Sequence, residues 1–158
     1  MPPDGISGVL LAFEHSGLGQ AARSSGWLYP LANLAHVLGA ALLLGAIAIF
    51  DIQVLRRSRE ASIVSHTAIP VAVVGFLLQA VSGTVLLSAE ASTVVRNPAF
   101  QFKMAMLVFA LANVALFHWR FGRALKTGAP LDGAQTFAAV SLASWVLVLL
   151  AGRSIAYL

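Results

Sequence analysis

Side chains able to do chemistry are few in this chain, and four of them are histidines. His36 lies in a charge-free stretch between Arg23 and Asp51, and Asn33 precedes it by about one helical turn. An imidazole in so apolar a segment loses its hydration, so we expect it to have a partner or a function. Neutral imidazole is the commonest metal ligand and a usual axial ligand of haem iron. His36 is therefore the first candidate for a metal or haem ligand, and a hydrogen bond to Asn33 or to a backbone carbonyl is the alternative.

A lysine and two further histidines are the other candidates for a cofactor site. Lys103 begins an apolar stretch, where it can snorkel to the headgroups, pair with Glu90 or a haem propionate, or bind iron as a neutral amine. His66 and His118 fall near one predicted membrane boundary, so they form a second candidate pair across a porphyrin. Hydrated histidines at helix ends are the alternative for that pair. Burial ranks His36 first, Lys103 second and the His66–His118 pair third.

Several kinds of chemistry are excluded by what the sequence lacks. There is no cysteine, so disulfides, thiolate metal sites and cysteine-held iron–sulfur clusters are excluded. No phosphate-binding loop, dinucleotide-binding motif or metalloprotease motif is present. The net charge of +4 arises from scarce acids rather than from a basic stripe, which predicts no nucleic-acid partner. Met104 and Met106 could bind copper(I), but methionines so spaced in an apolar helix usually serve packing.

The composition predicts the elements that position these residues. Of the 158 residues, 59% are hydrophobic and 10% are charged, and the mean hydropathy is +0.86. Soluble domains carry about 25% charged residues, so this chain is expected to lie in a lipid bilayer. Since about 20 residues cross a bilayer as a helix, the charge-free intervals predict a single-domain, all-α membrane bundle of four helices. The predicted spans are about 27–52, 63–89, 99–119 and 133–155.

The segment 1–22 before the first span has a different pattern. Its apolar residues recur at helical spacing and form one stripe: Ile6, Val9, Leu10 and Phe13. This pattern predicts a short amphipathic helix in the outer interface, or one that packs across the outer mouth of the bundle. Gly17 and Gly19 are expected to end that helix.

Basic residues indicate how the bundle is oriented. Two connections on one side carry Arg56, Arg57, Arg59, Arg120, Arg123 and Lys126, whereas the other side carries Arg23, Arg96 and Arg153. The positive-inside rule then predicts basic connections in the cytoplasm and both termini in the periplasm. Asp51, at the inner end of the first span, is expected to pair with Arg56, Arg120 or a protonated His66.

A set of motifs in the first three spans resembles small, largely uncharacterised bacterial four-helix membrane proteins. The motifs are Tyr29-Pro30, Asn33, His36, Gly39, Asp51, Asn97-Pro98-Ala99-Phe100, Lys103, Asn113 and His118. More distantly, a histidine early in the first helix with a lysine at the start of the third is similar to the four-helix membrane protoporphyrinogen oxidase family and to the copper-resistance D family. The first of these two families has an arginine-rich helix end where this chain has Asp51.

These resemblances carry functional expectations. The oxidase resemblance implies haem b in the bundle of an inner-membrane protein, with His36 and Lys103 at the positions of that family's essential histidine and lysine. A redox or electron-transfer role would follow, with a quinone or a redox protein as the partner. The protein could also assemble as a homo-oligomer. The copper-family resemblance implies copper transport, for which this chain lacks Met/His-rich outer segments. The remaining alternative is a cofactor-free accessory subunit.

Overall fold

The described part of the chain, residues 5–155 and 157 of a computed structural model, forms seven α-helices. The helices are α1 (Gly5–Glu14), α2 (Gly17–Ser24), α3 (Leu28–Leu55), α4 (Ala61–Ala89), α5 (Ala91–Val94), α6 (Pro98–Thr127) and α7 (Gln135–Ser154). Four of them, α3, α4, α6 and α7, are long and apolar enough to cross a membrane. The shortest, α7, has 20 residues, which at 1.5 Å per residue matches the bilayer's hydrocarbon core of about 30 Å. The chain is therefore an all-α, multi-pass membrane protein, and the predicted fold class is confirmed.

The sequence explains where α6 begins and ends. The side-chain oxygen of Asn97 accepts a hydrogen bond from the Ala99 amide at 2.8 Å, and Pro98 occupies the first helical position. The helix continues past Trp119, where the predicted span ends. A helix can extend beyond the bilayer into water, where charged residues such as Arg120 are tolerated. It ends at Gly128, whose φ of 69° is left-handed and favours glycine.

The four long helices form a ring in the order α4, α3, α7, α6. Helix α3 packs most closely on α4 and also packs on α7, α6 packs on α7, and contact between α4 and α6 is sparse. We call the end that holds the start of α3 the capped end, because α1, α2 and α5 lie there. We call the opposite end the basic end; its basic residues are Arg56, Arg57, Arg59, Arg120, Arg123 and Lys126.

Two glycines allow α3 and α4 to approach closely. A Cβ atom on Gly75 would lie 2.6 Å from the Leu43 backbone nitrogen and 2.9 Å from the Gly39 carbonyl oxygen. A Cβ on Gly39 would lie 2.9 Å from the Gly75 carbonyl oxygen. All three neighbours are backbone atoms, so only glycine fits at this crossing.

An aromatic cluster fills the basic half of the bundle. The Phe117 ring on α6 packs edge-on against Phe50 of α3 at 5.7 Å and also contacts Phe121 and Phe137. Edge-to-face aromatic pairs of this kind add to the stabilisation from burial alone. The cluster therefore ties α3, α6 and α7 together at that end.

The segment before the first span folds as two helices rather than one. Ser16 caps α2 by accepting a hydrogen bond from the Gly19 amide at 3.3 Å, so Gly17 begins a helix instead of ending one. The Glu14 carboxylate accepts hydrogen bonds from the amide and the hydroxyl of Ser92, at 2.6 and 2.8 Å. These bonds, the amide bond first, hold the pKa of Glu14 below its ordinary value.

A second contact fixes the same segment to the bundle. The Arg23 guanidinium donates to the Ala89 carbonyl at the end of α4, at 3.1 Å, and to the Glu14 carbonyl at 2.7 Å. Helix α1 packs on α5 and α2 packs on α4. Helices α1 and α2 are thus docked at the capped end of the bundle, against α5 and α4 respectively.

Candidate functional site

His36 lies in the capped half of α3, half-buried and directed toward α4. Its Nδ1 atom is 3.0 Å from the hydroxyl oxygen of Ser82, which is buried in α4. This position follows from the close approach of α3 and α4 at Gly39, which is one turn further along α3 than His36. The Gln79 side-chain amide, also on α4, donates to the His36 carbonyl oxygen at 2.9 Å. Two interhelical hydrogen bonds therefore fix the histidine against α4.

The hydrogen bonds of Ser82 determine which ring nitrogen of His36 carries the proton. The Ser82 hydroxyl donates to the Leu78 carbonyl on its own helix, so its oxygen is left to accept from His36. Nδ1 is therefore the protonated nitrogen, and in neutral imidazole Nε2 then holds a free lone pair. Among the described residues, Nε2 has no hydrogen-bond partner. His36 thus presents a ring nitrogen of the kind that binds a metal.

Gly83 on α4 has no side chain and so leaves space for the imidazole of His36. A Cβ on Gly83 would lie 3.1 Å from the Cε1 atom of His36, tighter than most real contacts. The ring therefore packs against the backbone of α4. Any larger residue at this position would push the ring away from Ser82.

Lys103 lies in the first turns of α6, half-buried against α7. Its Nζ atom would be 3.4 Å from a Cβ on Gly152, and its Cε and Cδ atoms pack on the same backbone. The ammonium group is near enough to His36 to act on it electrostatically. Glu90, the carboxylate proposed as its partner, is exposed, and no hydrogen bond joins the two among the described residues. The structure thus brings Lys103 and His36 to the same half of the bundle.

The other predicted site residues lie elsewhere. His66 on α4 and His118 on α6 are both exposed, and α4 and α6 have little contact. His118 Nδ1 donates to the Val114 carbonyl of its own helix at 2.9 Å. Asn33 is exposed, and the partner of His36 is Ser82 instead, so the Asn33–His36 bond that was the alternative to a ligand role is not observed in the described structure.

Asp51 differs from its expected pairing. The residue is 4% exposed, and Oδ2 of its carboxyl group has no hydrogen-bond partner in the described structure. Arg56, Arg120 and His66 are all exposed, so the ion pair expected for Asp51 was wrong. These long or interfacial side chains reach solvent more easily than they reach the interior of the bundle.

The donor set available to a metal ion is small. Within residues 5–155 and 157, no group of three or more histidine or carboxylate side chains could hold a metal. Met104 is exposed and Met106 half-buried. Haem iron, unlike a metal ion held by protein alone, can be bound by a single imidazole, because the porphyrin supplies the other nitrogen ligands.

Comparison with protein-family models, curated proteins and solved structures finds no match. Similarity to the haem and copper families therefore remains an expectation from the motifs.

Two residues of this site, Ser82 and Gln79, were not among the candidates that the sequence indicated. Their partner, His36, is 46 positions from Ser82 along the chain. A signal for the pairing was present in the sequence: Gly39 and Gly75 mark where two helices can cross closely, and this crossing sets His36 at the level of Gln79.

Proposed function

We propose that this chain binds haem b in the capped half of its bundle, with Nε2 of His36 as an axial ligand, and serves electron transfer in a membrane. The observation that carries the proposal is the fixed state of His36. Its Nδ1 donates to Ser82, while Nε2 has no partner among the described residues. A hydrogen bond from the ring nitrogen that does not bind the metal is the usual way in which proteins orient a metal-binding histidine.

Lys103 supports the same site. The half-buried Lys103 side chain would help to hold haem near His36, either by pairing as an ammonium with a propionate or by binding iron as a neutral amine. His66 and His118 are the second candidate pair, but both are exposed on helices that have little contact. We therefore keep His36 first and Lys103 second. Bound haem b would supply a reversible one-electron couple, and the residues named here would bind and orient it.

The spectrum of the purified protein tests this proposal. We expect full-length protein, produced with haem supplementation and extracted from membranes, to show a Soret band that His36→Ala abolishes. His66→Ala combined with His118→Ala is the matched control and should retain the band. Protein that stays colourless would overturn the proposal. Loss of the band in the double variant alone would move the site to the basic end.

Ser82→Ala separates orientation from ligation. The substitution leaves the Nε2 ligand in place and removes the acceptor that fixes Nδ1. We expect haem affinity to fall by roughly 10–100-fold without being lost. An unchanged affinity would argue against the role of Ser82.

A cofactor-free accessory subunit is the second candidate, and the same hydrogen bond favours it. The bond from His36 to Ser82 joins α3 to α4 and satisfies one nitrogen of a half-buried ring without any ligand. In that case His36→Ala and Ser82→Ala would lower stability equally, and neither protein would have a haem spectrum.

We further infer the orientation and the partners from the distribution of charge. Six basic residues lie at the basic end, which under the positive-inside rule faces the cytoplasm of a bacterial inner membrane. Both termini then face the periplasm, and the electron partner is a quinone or a redox protein. A reporter enzyme that works only in the periplasm should be active when fused to the C-terminus. Activity of a reporter that works only in the cytoplasm would reverse the orientation.

A further inference from the structure

Asp51 is a buried acid that the proposed haem site does not use. It lies in the last two turns of α3, with 4% of its surface exposed, and its Oδ2 atom has no hydrogen-bond partner in the described structure. The Ser141 hydroxyl of α7, itself buried, lies beside the carboxyl group. The next residue inward on the chain, Phe50, belongs to the aromatic cluster. The carboxyl group is therefore enclosed by apolar surface and a single hydroxyl neighbour.

Within the described structure, no cation compensates for this acid. Helix α3 packs on α4 and α7, and α6 joins the aromatic cluster beside it. The titratable and charged groups of these elements and of the adjoining connection are exposed or lie at the other end: His66, His118, Arg120, Arg123, Lys126, Arg56, Arg57, Arg59, Glu60, Glu90, Asp132, Arg153, His36 and Lys103. An isolated carboxylate in such surroundings is very unfavourable, whereas the neutral acid is tolerated and can donate a hydrogen bond.

We propose that Asp51 is a proton-binding site inside the bundle, which exchanges its proton with the basic end. The only bond formed on uptake is the O–H bond of the carboxyl group. This inference is independent of haem, because Asp51 is fifteen positions from His36 on the same helix, about 22 Å along its axis.

Access to the site is expected from one end only. Asp51 is four residues from the last residue of α3, about 6 Å along the helix. In the other direction, the polar side chains of α7 continue from Ser141 to Ser144, whose hydroxyl donates to the Ser141 carbonyl at 2.9 Å. Between Ser144 and Gly152, which packs on Lys103, the one polar group is the Trp145 indole. The hydroxyl groups of α7 therefore do not continue from Asp51 to the capped end, and we expect the proton to be stored rather than passed across the membrane.

The chain offers a clean test, because it has only three aspartates: Asp4, Asp51 and Asp132. Full-length protein in lipid nanodiscs would be labelled with ¹³C at the aspartate side-chain carboxyl and followed by NMR as the pH is varied. We expect one signal to keep the chemical shift of a protonated acid at neutral pH. That signal should be lost in Asp51→Asn and retained in the matched control Asp132→Asn.

Four outcomes decide the proposal. If all aspartate signals titrate together as exposed carboxylates, the site does not hold a proton. If exchange of sodium for choline at constant pH moves the Asp51 signal, the carboxylate binds a cation instead. Should Asp51→Asn fail to fold, Ser141→Ala identifies the signal by shifting it, and an unshifted signal would contradict the contact. Ser144→Ala should leave the hydrogen–deuterium exchange rate of the acid unchanged; slower exchange would overturn access from one end.

Discussion

Gly75→Ala is the most direct test of the crossing that positions His36. The added Cβ would lie 2.6 Å from the Leu43 backbone nitrogen, which is 0.8 Å less than the 3.4 Å at which ordinary contact begins. The obstructing atoms belong to the backbone of α3, so no side-chain movement relieves the clash. The helices must separate at this point, and α4 carries Gln79 and Ser82 away with it.

The expected loss of stability follows from these distances. Separation by about 0.8 Å would lengthen the 2.9 Å bond from Gln79 to the His36 carbonyl to about 3.7 Å, beyond hydrogen-bond range. Overpacking costs about 1–3 kcal/mol, and each lost interhelical hydrogen bond costs about 0.6 kcal/mol. With the bond to Ser82 also weakened, Gly75→Ala should destabilise the protein by about 2–4 kcal/mol.

Unfolding in mixed micelles by titration with SDS measures this change; it is followed by tryptophan fluorescence, to which the buried Trp145 contributes together with the exposed Trp27 and Trp119. The matched control is Gly45→Ala in α3, because a Cβ there meets nothing within 4 Å. The control should stay within about 0.5 kcal/mol of the parent protein. If Gly75→Ala were as stable as the control, the close crossing of α3 and α4 would be refuted.

Three further outcomes are expected. The folded pKa of Glu14 lies below its unfolded value, so its contribution to docking α1 is complete above the ordinary carboxyl pKa and is lost as the pH falls through the folded value. Hydrogen exchange in α1, corrected for intrinsic rates, should therefore accelerate in acid. Glu14→Gln should remove this pH dependence. Gly128→Ala should cost about 1 kcal/mol in the same SDS titration, because φ at this helix end is 69°; no change would argue against that conformation. Asn113→Ala should cost about 0.5–1.5 kcal/mol, because it removes the hydrogen bond that the buried Asn113 amide donates to the Phe137 carbonyl of α7 at 3.1 Å, and a neutral result would argue against that bond.

The fold class was predictable because lipid leaves so few options for the backbone. Charge-free stretches identified the four long helices, yet charge did not predict where they end. Arg120 lies inside α6, since a helix can continue into water, and it is Gly128 that stops the helix. Similarly, Gly17 was expected to end a helix, but the preceding Ser16 caps a new one. Both differences concern helix ends, where local capping decides.

The candidate site could be predicted by depth but not by direction. The apolar surroundings of His36 and Lys103 were visible in the sequence, and the structure brings both to the capped half. Which face of α3 His36 occupies depends on the rotation of the helix, and this is set by the crossing at Gly75. The isolation of Asp51 was also beyond the sequence, because a long arginine such as Arg56 can extend either into the bundle or into solvent.

The ring order of the helices has a consequence for how the protein assembles. The two closest helix pairs, α3 with α4 and α6 with α7, are neighbours in the chain, so the bundle consists of two helical hairpins joined side by side. Local contacts form before distant ones, and inserted helices associate afterwards. Asp51 and Ser141 belong to different hairpins, so the enclosure around that acid is complete only after the second hairpin has been synthesised and has docked on the first.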